Sequence, residues 1–219
     1  MERAFSQITT PKSDDEGDVV GPQQIAIDGK TLRVSQDANG RAEHVLSAFC
    51  SAFEQSVGHV SSRGKGMEIP DALRLLAKID LTGKVITGDA VFCQKTITSE
   101  IVAKGGDDVL PVKRNQRALL EEIETAFREP VFPPSEAHEP ADLDQGRINQ
   151  RSIALLPIEA LSEQMRAAWP TVRMIAWLTR RRDHARAGRV IKVEKETNFL
   201  ITSLNAPTPE AILRFNGRH

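Results

Sequence analysis

Two aspartates stand at positions in this sequence where a carboxylate could do chemistry. Asp89 lies in the stretch VITGDAVFCQK, where an apolar run typical of a strand gives way to a run typical of a helix. Asp28 lies in IAIDGKTLRVS and also follows an apolar run directly. Open α/β sheets place their sites at the carboxyl ends of strands. A single aspartate there is equally well explained as a helix cap, so a site requires that the two lie together.

The order of the predicted elements brings them together. Alternation and turn residues predict extended segments at residues 24–27, 32–34, 44–53 and 55–62, the first of them ending at Asp28. Helical spacing begins at Ile69, and a strand at 85–87, a helix at 96–104, a strand at 108–112 and a helix at 116–127 follow. An antiparallel meander that continues into βαβ crossovers is best known from the ribonuclease H-like fold. In that fold the first and fourth strands are neighbours, so Asp28 and Asp89 would meet.

Paired carboxylates of this kind favour a divalent-metal site. Hard oxygen ligands suit Mg²⁺ or Mn²⁺, and two such ions roughly 3.5 to 4 Å apart activate a water or a 3′-hydroxyl for attack on a phosphodiester. Two close carboxylates would repel each other without the metal. The alternative interpretation of the pattern alone is that Asp28 and Asp89 are two unrelated aspartates in turns.

Composition places the chain among ordinary globular proteins. It has 219 residues, of which 40% are apolar and 27% charged, enough for one substantial core. No apolar run reaches the roughly 20 residues of a membrane span, and no signal-peptide core precedes the first strand, so we expect a cytoplasmic protein without a membrane partner. Cys50 and Cys93 lack the spacing of a disulfide framework or a zinc site. We expect Cys93 to be a small buried hydrophobe, and Trp169 and Trp177, each among apolar neighbours, to be core residues.

The charges are unevenly distributed. Residues 121–144 contain eight acids and one base, whereas residues 173–192 contain seven bases and one acid. Such a basic segment suits a polyanion partner, although a solvated surface explains it equally well.

Five domains or segments are expected. Residues 1–23 form a flexible lead-in and residues 24–128 the catalytic core. Residues 129–145 form a proline-rich acidic linker, which cannot be a helix or a central strand. Residues 146–206 form a β-rich insertion, extended at 148–155, 172–179 and 190–203 with an interruption near 197–198, and helical at 158–168. Residues 207–219 begin a C-terminal helix, with Pro209 at its first position.

Several blocks together carry a family resemblance. IAIDGKTLRVS, VITGDAVFCQK, GGDDVLPVKRNQRALLEEIETAF, GRINQRS and LITSL stand in the order and approximate spacing of the DDE transposases of bacterial insertion sequences. The similar branch is that of the H-repeat-associated proteins, related to IS4-type enzymes. The resemblance extends from about residue 25 to residue 219.

The resemblance implies an α/β fold: a ribonuclease H-like mixed sheet with a β-rich insertion and an incomplete last catalytic helix. It implies Mg²⁺- or Mn²⁺-dependent cleavage and joining of DNA at transposon ends, in the bacterial cytoplasm near the nucleoid. Asp28 and Asp89 match catalytic, metal-binding aspartates. DNA contacts are expected from Lys30, Arg33, Lys95, Lys113, Asn115, Gln116, Arg180, Arg181 and Arg182.

The sequence also departs from the family. In the family, the third catalytic acid is a glutamate in a helix after the insertion. This chain ends where the segment that carries that glutamate would begin. We therefore expect an inactive or crippled transposase fragment. The alternative is a non-catalytic module that binds DNA or inhibits a complete transposase. A second copy or a complete transposase is the expected protein partner.

Overall fold

The computed structural model describes residues 22–32, 43–62, 66–139, 142–144, 147–186 and 189–215. Most of the expected lead-in, residues 1–21, lies outside these ranges. The first five strands are β1 (Gln23–Leu32), β2 (Glu43–Cys50), β3 (Gln55–Ser62), β4 (Lys84–Gly88) and β5 (Asp107–Val112). The remaining strands are β6 (Ser135–His138), β7 (Asp142–Asp144), β8 (Arg147–Pro157), β9 (Met174–Arg186) and β10 (Arg189–Thr202). The α-helices are α1 (Glu68–Ala77), α2 (Lys95–Ala103), α3 (Arg117–Arg128), α4 (Glu163–Ala168) and α5 (Pro209–Phe215).

All ten strands belong to one mixed sheet. Its order is β3-β2-β1-β4-β5-β10-β9-β8-β6, and β7 pairs with β8. β1 is antiparallel to β2 and parallel to β4, and β4 is parallel to β5. β10 then joins β5 in the antiparallel sense. The fold is therefore mixed α/β, with the predicted meander and the two predicted parallel pairs in place.

Two apolar clusters cover the two faces of the sheet. Helices α1, α2 and α3 pack on one face, where Ile25, Ile86 and Leu110 are at most 1% exposed. Helix α5 packs on the other face, which includes Val85 and Leu200. The interior strands β4 and β5 are apolar on both sides because helices cover both faces.

The β-rich segment is built on aromatic packing. Trp177 on β9 and Phe199 on β10 lie beside Phe127 of α3, with ring centroids 5.9 to 6.3 Å apart. Trp169 is 2% exposed in the larger cluster. The prediction that the tryptophans pack in the core is confirmed for Trp169, whereas Trp177 is partly buried and packs against the core.

Three local predictions were wrong. β1 continues through Asp28 and Gly29 because β2 pairs with it residue by residue as far as Leu32. β10 has no interruption at residues 197–198, since β9 pairs with it there. The helix expected at 158–168 divides into a 3₁₀ helix, Ile158–Ala160, and α4, because Leu161 is extended and Ser162 caps α4.

The proline-rich segment contains short strands rather than loop alone. β6 lies at an outer position of the sheet, paired only with β8 among the described residues, and β7 is three residues long. The expectation that this segment holds no helix and no central strand is confirmed for the described part. No helix in the described part of the chain is long and apolar enough to cross a membrane.

Candidate catalytic site

The two aspartates lie on neighbouring strands. The parallel ladder between β1 and β4 ends with Ile27 opposite Gly88, and Asp28 and Asp89 directly follow these two residues in the chain. Both therefore leave the ladder at the carboxyl edge of the parallel strands. Their side chains are 65% and 71% exposed. The sequence-based prediction that Asp28 and Asp89 meet is thus supported by the strand register.

A small cavity joins the two carboxylates. It has a volume of about 220 Å³, and Asp28 and Asp89 both line it. Its other polar lining comes from Lys30, His44, Glu68 and Asp71. Asp71 is 4% exposed and pairs with Arg74 on the next turn of α1. No group of three or more His, Cys, Asp or Glu side chains in the described ranges is close enough to hold a metal ion.

The backbone around Asp89 is held by close packing. Its carboxylate accepts a hydrogen bond from the N–H of Ala90 at 2.6 Å and caps the 3₁₀ helix Ala90–Phe92. A Cβ on Gly88 would lie 2.9 Å from the ring of Phe92 and 3.1 Å from the carbonyl oxygen of Ile27. Glycine at position 88 therefore lets β1, β4 and the following turn approach each other.

A lysine stands beside each carboxylate. Lys30 Nζ lies 3.8 Å from Asp28, and Lys113 Nζ lies 3.5 Å from Asp89. Both lysines are more than half exposed, so the pairs contribute little to stability in water. Their effect is local: each lysine offsets one of two neighbouring negative charges.

Two residues expected to contact DNA also hold the turn after Asp89, and their DNA contacts stay a prediction. Asn115 Nδ2 donates to the carbonyl oxygen of Ala90 at 2.6 Å. Gln116 Nε2 donates to the carbonyl oxygen of Cys93 at 2.9 Å and to Oε1 of Gln94 at 3.0 Å. The sequence block that contains both residues did not indicate these hydrogen bonds, because they form only where the end of β5 lies beside the end of β4.

The remaining predicted contacts are dispersed. Lys95 begins α2, with its Nζ 5.7 Å from the centre of the Trp169 ring, a distance that permits a cation–π contact. Arg33 lies outside the described residues. Contacts between these residues and DNA stay a prediction.

The three consecutive arginines do not share one surface. Arg180 and Arg182 face one side of β9, opposite Glu196 and Glu194 on β10, because side chains alternate along a strand. Arg181 faces the other side, and its Nε and Nη2 donate to both oxygens of Asp183 at 2.8 and 2.9 Å.

One buried titratable group was not identified from the sequence. Asp108, the second residue of β5, is completely buried, and neither carboxyl oxygen has a hydrogen-bond partner in the structure as described. Burial, with the charge of Asp107, raises the pKa of Asp108 to about 8. Burial, with Asp108, raises the pKa of the Cys93 thiol to about 12. Cys93 is therefore an inert core residue, as expected from the sequence.

Similar proteins carry transposase names. The chain is 42% identical over 117 residues to the H repeat-associated putative transposase YhhI of Escherichia coli strain K12, a match covering 52% of this chain and 30% of that protein. It is 40% identical over 117 residues to YbfD of the same strain, which has the same description; this match covers 52% of the chain and 44% of YbfD. These similarities support a transposase family.

A longer match comes from another organism. An uncharacterised protein from the dhlA 3′ region of Xanthobacter autotrophicus is 33% identical over 171 residues, covering 76% of this chain and 56% of that protein. The chain thus spans between about a third and just over half of these three relatives. No protein-family model matches the chain.

Proposed function

We propose that this chain has a ribonuclease H-like core of the DDE transposase type, similar to IS4-type enzymes, and acts on DNA at transposon ends. The strand order β3-β2-β1-β4-β5, with β1 parallel to β4, supports the fold. The names of the relatives support transposition as the process. One observation supports the proposed site: the pairing of β1 with β4 ends at Ile27 and Gly88, and an aspartate follows each of them at the same edge of the sheet.

The donor set fits a hard divalent cation. Asp28 and Asp89 supply exposed carboxylate oxygens on one cavity, the ligand type that Mg²⁺ and Mn²⁺ prefer. These two residues would hold the ion, and the bound ion would supply Lewis-acid chemistry for phosphodiester cleavage and transfer.

The chain's own residues would position the phosphodiester. Lys30 and Lys113, which pair with the aspartates in the free protein, are placed to move onto phosphate oxygens once the carboxylates are neutralised. Asn115 and Gln116 fix the turn that carries Asp89. A carboxylate held in this way keeps its orientation while DNA binds, which is what positioning requires.

The test is metal-dependent nicking of DNA that carries the transposon ends. Asp28→Asn and Asp89→Asn should each weaken Mn²⁺ binding measured by calorimetry and abolish whatever Mg²⁺-dependent nicking the crippled chain retains. Asp80→Asn is the matched control, because Asp80 is an exposed aspartate 3.2 Å from Lys84 near the amino end of β4. It should change neither readout. Equal Mn²⁺ affinity in all three variants would refute the assignment.

Non-catalytic DNA binding, including inhibition of a complete transposase, is the second candidate. It is favoured by the basic side chains of the long β9–β10 hairpin, which extends beyond the end of β5. Retention of transposon-end DNA at physiological salt, without nicking and without effect of Asp89→Asn, would select this function. Binding that disappears with modest added salt would indicate charge alone.

A further inference from the structure

Among the described residues, the edge of β10 on the side of β5 has no paired strand over most of its length. β9 pairs with β10 from Arg189 to Thr202, whereas β5 pairs with it only from Phe199 to Thr202. β5 ends at Val112, and the chain then turns into a short 3₁₀ helix and α3. Residues 190–198 therefore have a strand on one side only among the residues described. An open edge of this kind presents N–H and C=O groups to any strand of matching shape.

This edge carries exposed apolar side chains. Val190, Ile191 and Val193 are 52%, 66% and 52% exposed, within a stretch of four residues. They lie on the arm of the hairpin that β5 does not reach, and a register shift lies between Val190 and Lys192. Exposed β-branched residues on an open strand edge favour the addition of another strand.

The charges around Val193 are self-complementary. Lys192 and Glu194 flank Val193 and share one face of the strand, and their ammonium and carboxylate groups lie 2.7 Å apart on the surface. In an antiparallel pair with its two-fold axis at Val193, Lys192 stands opposite Glu194 of the second copy and Glu194 opposite Lys192. The two Val193 side chains then face each other.

We propose that β10 pairs antiparallel with β10 of a second copy of this chain, centred on Val193, so that the two sheets become continuous. The contact is isologous: the same residues meet from both sides. Opposite charges and a β-branched pair stabilise such cross-strand neighbours. The register shift beside Ile191 restricts the regular pairing to a short central segment, so the association depends on protein concentration. This interface is independent of the proposed catalytic function.

Sedimentation velocity of the full chain over a wide concentration range tests the proposal. The wild type should shift from the 24.2 kDa monomer to twice that mass. Lys192→Glu and Glu194→Lys should each remain monomeric, because each places like charges opposite one another. An equimolar mixture of the two should dimerise, since a copy with acids at both positions then faces a copy with bases at both. Melting curves of each variant verify that it is folded.

Lys195→Glu is the matched control. It makes the same charge change on the same strand, but position 195 would stand opposite Ile191 in this register, so dimerisation should persist. Val193→Cys adds a geometric test: the two introduced thiols face each other and should form an intermolecular disulfide when oxidised glutathione is added as the electron acceptor, whereas the native Cys50 and Cys93 are buried.

Three results would overturn the proposal. One is a wild-type chain that stays at 24.2 kDa at every concentration. Another is a mixture of the two charge variants that stays monomeric. The third is a wild type that stays monomeric while Lys192→Glu and Glu194→Lys change only the retention of DNA. That result would identify the edge as a nucleic-acid contact.

Discussion

The buried carboxyl group of Asp108 makes stability depend on pH. Its side chain is 0% exposed, and its pKa is about 8 in the folded chain, because burial and the neighbouring Asp107 disfavour the charge. In the unfolded chain an aspartate has a pKa of about 3.9. The folded state therefore holds one more proton than the unfolded state between these two values.

The sign and size of the effect follow from this difference in protons. The contribution of Asp108 to stability is largest below about pH 4 and falls as the pH rises through the window to about 8, by about 1.4 kcal/mol for each pH unit. Across the whole window the loss is on the order of 5 kcal/mol, comparable to the total stability of many domains. Above the folded pKa the contribution no longer changes, because both states are then charged.

Asp108→Asn removes this dependence. Urea unfolding midpoints measured between about pH 5 and pH 9 should fall for the wild type and stay flatter for the variant, which should be the more stable protein at the alkaline end. Burial of the asparagine amide also lowers the free energy of unfolding, but by the same amount at every pH. Asp80→Asn is the control, because hydrogen bonds from Thr82 lower the pKa of Asp80 to about 2, below the tested range. Parallel curves for wild type and Asp108→Asn would refute the reasoning.

Three further substitutions test the packing around Asp89 and in the aromatic cluster of the β-rich segment. Gly88→Ala forces a Cβ to 2.9 Å from the Phe92 ring, so it should cost about 1–3 kcal/mol in thermal melts and weaken Mn²⁺ binding. Gln116→Ala removes the bond to the Cys93 carbonyl and should lower Mn²⁺ affinity about tenfold while DNA retention is unchanged; the reverse pattern would make it a DNA contact. Phe199→Ala removes one partly buried ring of the three-ring cluster and should cost about 2–3 kcal/mol in urea titrations, less than a fully buried ring; a loss below about 1 kcal/mol would contradict that packing.

The sequence predicted those features that depend on local pattern. The apolar run before Asp89 is β4, and the residues with helical spacing after Ile69 form α1. A strand buried on both faces is apolar throughout, whereas a helix buried on one face repeats its apolar residues every three to four positions. The pairing of β1 with β4 was predicted from the order of elements, and the register confirms it. Element order limits the topology strongly, since few folds combine a meander with parallel crossovers.

Features that depend on contacts across the sheet were not predictable. The polar residues Thr197 and Asn198 suggested a break, but β9 supplies backbone partners there whatever the side chains are. Asn115 and Gln116 were interpreted as DNA contacts from their block, and only the approach of β5 to β4 shows that their amides bond to the turn after Asp89. Side-chain donors are ambiguous in a sequence because any nearby carbonyl can accept from them.

Three aspartates beside apolar strand residues illustrate how position decides chemistry. Asp28 and Asp89 lie just past the β1–β4 ladder, exposed and each beside a lysine, so their charges remain in water and open to a cation. Asp108 lies at the amino end of β5, which is parallel to β4, and it is enclosed without a partner for either oxygen. Water and lysine offset the charge at one edge of the sheet, whereas at the other the influence of Ser203 is outweighed by burial and by Asp107, and the group retains its proton near neutral pH. Position along the strand, and not residue type, therefore separates an exposed carboxylate from an enclosed one that keeps a proton.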